Sequence, residues 1–221
     1  MKTKKYEAVL FDLDGTVVDT APDLTLTLNK MLSKRGLSPV DSQKVRSVAS
    51  SGARGLVTKG FGISTATPVY EDLRSEFLSE YEKNLLCSSQ LFDGMDDLIT
   101  TIENKKVPWG IVTNKVHRFT VPLLAGLNLI KRASCVVSGD TTPHAKPHPA
   151  PLIEAARIIN VAPAKCIYIG DDERDIKAAQ GAGMDSVVAL YGYLGDGQPP
   201  ELWNSTYLIR TPGELLDLIN I

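Results

Sequence analysis

Short apolar segments alternate with amphipathic helical patterns along most of this chain, and this alternation limits its possible folds more than any other feature. The first apolar segment covers residues 8–11, and the others follow residue 90. Strands that alternate with helices favour a parallel sheet covered on both faces. We therefore predict an α/β fold with a Rossmann-like, doubly wound parallel sheet as its core and residues 8–11 as a central strand. The later strands are predicted at 107–112, 135–137, 166–169, 187–190 and 207–209, and the helices at 94–104, 117–127, 150–160, 175–182 and 213–219.

The segment between residues 19 and 90 has a different pattern and contains no convincing strand. Pro22 and Pro68 suit the first turns of helices, and Asp41 suits an N-cap. We predict an all-helical cap domain over 19–90, inserted into a core made of 1–18 and 91–221. Such an insertion would lie over the carboxyl ends of the strands, where open α/β sheets bind ligands. The cap helices are predicted at 22–34, 41–49, 53–59 and 68–86.

Acidic residues follow two of the predicted strands. The first strand runs into Asp12-Leu13-Asp14-Gly15-Thr16, in which the two carboxylates share one face of an extended chain and Gly15 permits a turn. Gly170-Asp171-Asp172-Glu173-Arg174-Asp175 follows the strand at 166–169. Buried carboxylates without a partner are strongly disfavoured, and carboxylate oxygens are the ligands that Mg²⁺ prefers. The pattern predicts a magnesium site at these strand ends.

Two further polar segments lie between the acidic ones. Thr113 and Asn114 follow a predicted strand and offer a hydroxyl and an amide to phosphate oxygens, although such residues are also common helix caps. Lys146 lies in Ala145-Lys146-Pro147-His148-Pro149, where the prolines stiffen the loop. In isolation, Lys146 would be interpreted as a solvated surface lysine.

Composition narrows the class of protein. With 221 residues, 43% of them apolar, the chain is long enough for one large domain or a core with an insertion. A net charge of −2 without a basic run gives no support for nucleic acid or a membrane surface as partner. The basic start at residues 1–5 precedes an apolar run too short for a signal peptide, and nothing approaches the ~20 apolar residues of a spanning helix. We predict a cytoplasmic protein, monomeric or homodimeric.

Together, the four polar segments resemble the motifs of the haloacid dehalogenase superfamily of phosphohydrolases, in the family's order. The inserted helices resemble the cap of the subgroup that contains phosphoglycolate phosphatases. Segments such as Ser51-Gly52-Ala53-Arg54 and Tyr191-Gly192-Tyr193 resemble N-acetylmuramic acid 6-phosphate phosphatases. The four motifs are Asp12-Leu13-Asp14-Gly15-Thr16, Thr113-Asn114, Lys146-Pro147 and Gly170-Asp171-Asp172 with Asp175.

This resemblance implies a Mg²⁺-dependent phosphatase that acts on a small phosphorylated acid or sugar, such as 2-phosphoglycolate or N-acetylmuramic acid 6-phosphate. It implies that Asp12 is the nucleophile, that Asp14 is the general acid and base, and that Lys146 offsets negative charge. Mg²⁺ would be held by Asp12, the backbone carbonyl of Asp14, and Asp171.

The resemblance also bears on the remaining site residues. The resemblance implies that Thr113, Asn114 and Gly15 bind the phosphate, and that Asp175 orients Lys146 or a metal-bound water. The family often has Ser or Thr at the position of Asp172, which leaves open a metal ligand, a residue that supports the ligands, or a helix cap. We also hypothesise that Arg54 binds the carboxylate of the substrate; the alternative is an arginine on a helix surface.

Other functions are weighed against the phosphatase. A sugar-phosphate mutase also needs both Asp12 and Asp14, but Thr16 is more typical of phosphatases. Asp14 argues against a dehalogenase, and no cap lysine has the activating neighbour that a phosphonate hydrolase needs. A non-catalytic binding module would have lost at least one of four residues that are all present, namely Asp12, Asp14, Lys146 and Asp171.

Overall fold

A six-stranded parallel sheet forms the centre of the molecule in the computed structural model, which describes residues 5–219. Its strands lie in the order β5-β4-β1-β6-β7-β8, so the first strand is central and the predicted α/β fold is confirmed. Most of the basic start of the chain, residues 1–4, lies outside the described residues. The strands are β1 (Ala8–Phe11), β2 (Val18–Asp19), β3 (Gln90–Leu91), β4 (Trp109–Val112), β5 (Cys135–Val137), β6 (Cys166–Gly170), β7 (Asp185–Ala189) and β8 (Tyr207–Ile209).

Both faces of the sheet are covered, which explains why the strands are apolar throughout. In β1, Val9 and Phe11 pack into one hydrophobic cluster, whereas Ala8 and Leu10 pack into another on the opposite face. All four residues are completely buried. A strand buried on two sides cannot show the alternation of polar and apolar residues that a half-exposed strand shows.

The helices follow the predicted pattern, with small differences at their ends. Asp41 caps its helix by accepting a hydrogen bond from the N–H of Gln43, as predicted, and Pro22 lies in a first turn. The placement of Pro68 was wrong, because that helix begins at Tyr70 and Pro68 lies in the preceding turn. The helices are α1 (Ala21–Ser33), α2 (Ser42–Ala49), α3 (Gly52–Phe61), α4 (Tyr70–Asn84), α5 (Met95–Asn104), α6 (His117–Gly126), α7 (Ala150–Ile158), α8 (Glu173–Ala182) and α9 (Leu215–Leu218).

A short antiparallel ribbon of β2 and β3 was not predicted. Val18 pairs with Leu91 and Asp19 pairs with Gln90. Two residues are too few for a strand to show its period in the sequence. The ribbon brings together the two chain segments at which the predicted domain boundaries lie.

Helices α1 to α4 pack around a hydrophobic cluster of their own, which also contains Phe119 and Tyr193 from outside the inserted segment. The Tyr193 hydroxyl accepts hydrogen bonds from the N–H groups of Thr20 and Ala21, at 2.8 and 2.9 Å. These contacts fix the start of α1 beside the sheet. None of the helices in residues 5–219 combines the length and the apolar character needed to cross a membrane.

Candidate active site

The adjacent strands β4, β1 and β6 place three predicted site residues side by side. Thr113 follows β4, Asp12 follows β1 and Asp171 follows β6. The backbone continues the sheet pairing here, since the Asp12 N–H donates to the Ile169 carbonyl at 2.8 Å. The carboxyl ends of parallel strands meet at one edge, and the predicted convergence of these segments is what the structure has.

Lys146 is buried and surrounded by oxygen atoms. Its Nζ lies 2.7 Å from Asp12 Oδ1, 2.7 Å from Asp175 Oδ1 and 2.8 Å from the Tyr168 hydroxyl, and also contacts the Val112 carbonyl. Burial alone would lower the pKa of Lys146, but the two carboxylates raise it, and the net shift is upward. Lys146 is therefore a charged group beside Asp12, which excludes the interpretation as a solvated lysine.

Asn114 holds the backbone of Lys146 in place. Its Nδ2 donates to the Lys146 carbonyl and its Oδ1 accepts from the Lys146 N–H, both at 2.9 Å. The side-chain amide expected to contact phosphate is thus occupied by the neighbouring loop. Phosphate binding by Asn114 stays a prediction. Thr113 is 3% exposed, and its hydroxyl accepts from the Lys115 N–H at 3.1 Å.

Three buried carboxylates, those of Asp12, Asp171 and Asp175, have oxygen atoms within 4.8 Å of one another. Asp171 accepts hydrogen bonds from the Thr16 hydroxyl at 2.9 Å and from the Tyr193 N–H at 2.8 Å. Burial raises the pKa of Asp171 well above its usual range, and the other two carboxylates add to the shift. Burial also raises the pKa of Asp12 to about 7, although Lys146 acts in the opposite direction.

Gly15 lets the first motif approach Asp171 closely. Its φ is +87°, and a Cβ at this position would lie 2.2 Å from Asp171 Oδ2. Only glycine satisfies both the left-handed backbone and the close approach. Gly15 makes room for Asp171, and its contact with phosphate stays a prediction.

The chemistry of this carboxylate group fits a hard divalent cation. Asp12 and Asp175 share the buried ammonium of Lys146, and Asp171 lies within 4.8 Å of both carboxylates. When all three are ionised, this arrangement has an excess of negative charge in a low-dielectric environment. Oxygen atoms are the ligands that Mg²⁺ prefers. Asp12 and Asp171 are the predicted side-chain ligands in this group. Asp175 joins them in space, but its Oδ1 contacts Lys146 and its Oδ2 accepts from the Asp172 N–H.

The side chain of Asp14 lies outside this group and has partners of its own. Its Oδ1 accepts from the Thr20 hydroxyl at 2.5 Å and from Lys115 Nζ at 2.8 Å. Lys115, whose side chain is 9% exposed, was not singled out from the sequence. Burial alone would lower its pKa, but Asp14 raises it, and the net shift is upward. Any contribution of Asp14 to metal binding is therefore left to its backbone carbonyl, as the family resemblance implies.

Asp172 is the N-cap of α8. Its carboxylate accepts from the N–H of Arg174 and forms a two-pronged ion pair with the Arg174 guanidinium, at 2.8 and 2.9 Å. Burial would raise the pKa of Asp172, but Arg174 lowers it, and the net shift is downward. Of the three roles left open for Asp172, the structure shows the helix cap. Arg174 also reaches the inserted helices by donating to the Ser50 carbonyl at 2.6 Å.

A cavity of about 290 Å³ lies between the motifs and the inserted helices. Asp12, Thr113 and Lys146 line it from the sheet, and the predicted Arg54 lines it from α3. Lys115 and Arg174 were not predicted as site residues. The sequence places each of them inside a motif, but it does not show which carboxylate each one pairs with. The inserted helices and the turn between α2 and α3 contribute Leu24, Ala49, Ser50, Ser51, Gly52, Ala53, Arg54, Arg74, Phe77, Leu78 and Tyr81 to the lining.

Comparisons with known proteins agree with this geometry. Residues 9–189 match the family model of haloacid dehalogenase-like hydrolases. An N-acetylmuramic acid 6-phosphate phosphatase from Pseudomonas aeruginosa is 39% identical over 220 residues, covering 100% of this chain and 97% of its own. A phosphoglycolate phosphatase from Xanthomonas campestris pv. campestris is 45% identical over 209 residues, covering 94% of each chain.

The fold has a counterpart among solved structures. A crystal structure described as a predicted phosphoglycolate phosphatase from Haemophilus somnus superposes with a TM-score of 0.85, covers 96% of this chain and 97% of its own, and is 24% identical. At that identity the likeness supports the fold alone. The family match and the full-length relatives carry the assignment, and the chain belongs to the haloacid dehalogenase-like hydrolase family.

Proposed function

We propose that this chain is a phosphatase that hydrolyses phosphomonoesters through an aspartyl-phosphate intermediate on Asp12. The observation that carries the proposal is the position of Asp12 at the cavity wall, with Lys146 at 2.7 Å on one side and the buried carboxylate of Asp171 nearby. A nucleophilic carboxylate needs its charge and that of the phosphate balanced before the two can meet.

We propose that Asp12, Asp171 and the backbone carbonyl of Asp14 hold Mg²⁺. When bound, the ion would neutralise charge on the phosphate and on the attacking carboxylate. The excess of buried carboxylates over buried cations supports this choice.

Each of these residues would then have its own role in the reaction. Asp12 attacks phosphorus in line, and Asp14 protonates the leaving oxygen; Asp14 later takes a proton from the water that hydrolyses the intermediate. General acid–base help of this kind contributes roughly 10²–10⁴-fold. Lys146 would offset the remaining negative charge, and Thr113 would hold a phosphate oxygen. Asp175 would keep Lys146 in position through their 2.7 Å contact.

The variant Asp12→Asn tests the nucleophile. Asn is nearly isosteric but a poor nucleophile, so release of phosphate from phenyl phosphate is expected to fall by about 10³-fold or more. Its Tm should equal or exceed that of the unchanged protein, because the substitution removes one of three crowded buried carboxylates. Turnover at the wild-type rate in pure Asp12→Asn protein would refute the role of Asp12.

Metal removal tests the proposed cofactor separately. Chelation with EDTA should abolish phosphate release, and added Mg²⁺ should restore it. Activity that survives thorough chelation would count against the magnesium site, without bearing on Asp12.

For the substrate, we propose a small phosphorylated acid or sugar, such as 2-phosphoglycolate or N-acetylmuramic acid 6-phosphate. These are the substrates named by its relatives. Both carry a carboxylate, and the cavity receives the cationic side chains of Arg54 and Arg74 from the inserted helices. We propose that Arg54 binds this carboxylate.

A matched pair of esters tests Arg54. N-acetylglucosamine 6-phosphate lacks the lactyl carboxylate of N-acetylmuramic acid 6-phosphate but shares the rest of the molecule. Arg54→Ala should lower kcat/KM for the carboxylate-bearing ester by about tenfold or more and leave kcat/KM for the other ester nearly unchanged, so that the ratio of the two falls by the same factor. A ratio equal to that of the wild-type protein would remove Arg54 from substrate recognition.

We further propose that residues 19–90 form a cap domain on a core of residues 1–18 and 91–221, and that the enzyme acts in the cytoplasm. The separate hydrophobic cluster of α1 to α4 supports the division into cap and core.

A further inference from the structure

Tyr193 lies in the segment that follows β7 and contacts both the sheet edge and the inserted helices. Its backbone N–H donates to Asp171 Oδ2 at 2.8 Å. Its side chain is buried, with 6% of the residue exposed, and belongs to the hydrophobic cluster of α1 to α4. A residue whose backbone holds a proposed metal ligand therefore extends its side chain into the inserted segment.

The Tyr193 hydroxyl makes three hydrogen bonds at the start of α1. It accepts from the Thr20 N–H at 2.8 Å and from the Ala21 N–H at 2.9 Å, and it donates to Asp19 Oδ1 at 2.9 Å. A phenolic hydroxyl has one proton and two lone pairs, so these contacts use its full capacity. Arg46 of α2 pairs with Asp19 at 2.7 Å, and its guanidinium carbon lies 5.1 Å from the centre of the Tyr193 ring. The hydroxyl thus has a fixed position and holds the backbone where α1 begins.

Thr20 connects Tyr193 with Asp14, the proposed general acid and base. The Thr20 hydroxyl donates to Asp14 Oδ1 at 2.5 Å, and Lys115 Nζ donates to the same oxygen at 2.8 Å. Neither bond uses Oδ2, so Oδ2 is the oxygen that is left to give a proton to the leaving group. Asp14 lines the cavity, whereas Tyr193 is not among the described residues that line it. Any effect of Tyr193 on the reaction therefore has to act through its neighbours.

We propose that Tyr193 is a positioning residue for proton transfer, because its hydroxyl fixes the start of α1 so that Thr20 orients the Asp14 carboxyl. The inference rests on the proposed phosphatase function. In the step concerned, the bond from phosphorus to Asp12 forms, the bond from phosphorus to the leaving oxygen breaks, and the proton of Asp14 goes to that oxygen. A displacement of about 1 Å in such a group can cost about 10²-fold in rate.

Esters with different leaving groups test this proposal. Phenyl phosphate releases a basic phenolate that needs a proton, whereas 2,4-dinitrophenyl phosphate releases a stable anion that needs none. Tyr193→Phe should lower kcat/KM for phenyl phosphate by about tenfold or more and change kcat/KM for the dinitrophenyl ester by less than about twofold. We compare kcat/KM because it reports the departure of the leaving group and not the later hydrolysis of the intermediate.

Three further variants separate positioning from a structural role. Thr20→Val removes the hydroxyl that contacts Asp14 and should lower the ratio of phenyl to dinitrophenyl ester as Tyr193→Phe does, and Thr20→Ser should restore most of that loss. Tyr191→Phe is the matched control, since the Tyr191 hydroxyl has no hydrogen bond within the described part of the chain, and it should keep the wild-type ratio. A smaller folded fraction would lower both rates alike. Equal losses on the two esters, or a wild-type ratio in Tyr193→Phe or Thr20→Val, would therefore overturn the assignment.

A measurement without substrate distinguishes failure of the inference from failure of the proposed function. If the wild-type protein hydrolyses neither ester, the proposed function fails, and a double-mutant cycle on the unfolding equilibrium constant in urea decides the inference. The cycle consists of Tyr193→Phe, Asp14→Ala and the double variant. Positioning of Asp14 by Tyr193 should make the double change smaller than the product of the single changes by about threefold or more. A double change equal to that product, or larger, would overturn the inference.

Discussion

Arg174→Met should release the turn between α2 and α3 from the sheet edge. The guanidinium of Arg174 donates to the Ser50 carbonyl at 2.6 Å while it contacts both carboxylate oxygens of Asp172. Methionine keeps the length of the side chain but has no N–H donor. Asp172 would still cap α8 through the backbone N–H at position 174. The substitution therefore removes the link to the inserted helices and leaves the helix cap.

The size of the effect follows from the contact. A hydrogen bond that involves a charged group is worth about 1.5–3 kcal/mol. The Arg174 side chain is 36% exposed and that of Asp172 is 19% exposed, so solvent screening reduces the value. We take about 1.5 kcal/mol, which corresponds to about a tenfold change in the population of the docked turn.

Hydrogen–deuterium exchange measures that population without substrate. Amides in residues 50–58 should exchange about tenfold faster in Arg174→Met, whereas amides in residues 173–182 should change less. Lys177→Met is the matched control, because Lys177 lies on the same helix and forms only an exposed ion pair with Glu173. Equal exchange of residues 50–58 in Arg174→Met and in the wild-type protein would refute the proposal that Arg174 holds the turn between α2 and α3 at the sheet edge.

Three other predictions follow from the site. Gly15→Ala should lower the free energy of unfolding by about 1–3 kcal/mol more than Gly36→Ala, because both have a positive φ but only the Cβ at position 15 meets Asp171; equal losses in denaturant titrations would contradict this. Since the pKa of Asp12 is about 7 without a cation, protons compete with Mg²⁺, and calorimetry should find binding about tenfold weaker at pH 6 than at pH 8; equal affinities would contradict it. Lys115→Met should lower kcat by about tenfold or more by removing the cationic partner of Asp14; an unchanged kcat would exclude this role.

Sequence patterns predicted the parts of this fold that depend on local chain properties. Residues 8–11 were identified as a central strand because a strand buried on both faces is apolar throughout, and the Asp41 cap was identified because its position before an amphipathic segment is local information. The convergence of Asp12, Thr113 and Asp171 follows from topology, since parallel neighbouring strands end at the same edge.

The partners of individual side chains could not be predicted in the same way. Whether Asn114 meets phosphate or the Lys146 backbone depends on the path of a loop 32 residues away in the chain. The role of Asp172 was ambiguous because a carboxylate at a helix start suits both a cap and a metal ligand; the adjacent Arg174 decides for the cap. The acidic residues and Lys146 were recognised as candidates, whereas Lys115 and Arg174 were not, because pairing is a property of the folded chain.

The charged groups of the site form two sets, namely the ion pairs that contact the inserted helices and the carboxylates around Lys146. Asp14 pairs with Lys115 and Asp172 pairs with Arg174, and these pairs meet the inserted helices at Tyr81 and Ser50. The charges around Lys146 are not balanced when its neighbours are ionised, since Asp12 and Asp175 share its one ammonium and the carboxylate of Asp171 lies within 4.8 Å of theirs. The contacts that join the inserted helices to the sheet edge are therefore favourable without a bound metal ion. The carboxylate of Asp12, by contrast, needs a cation to balance the charge around it.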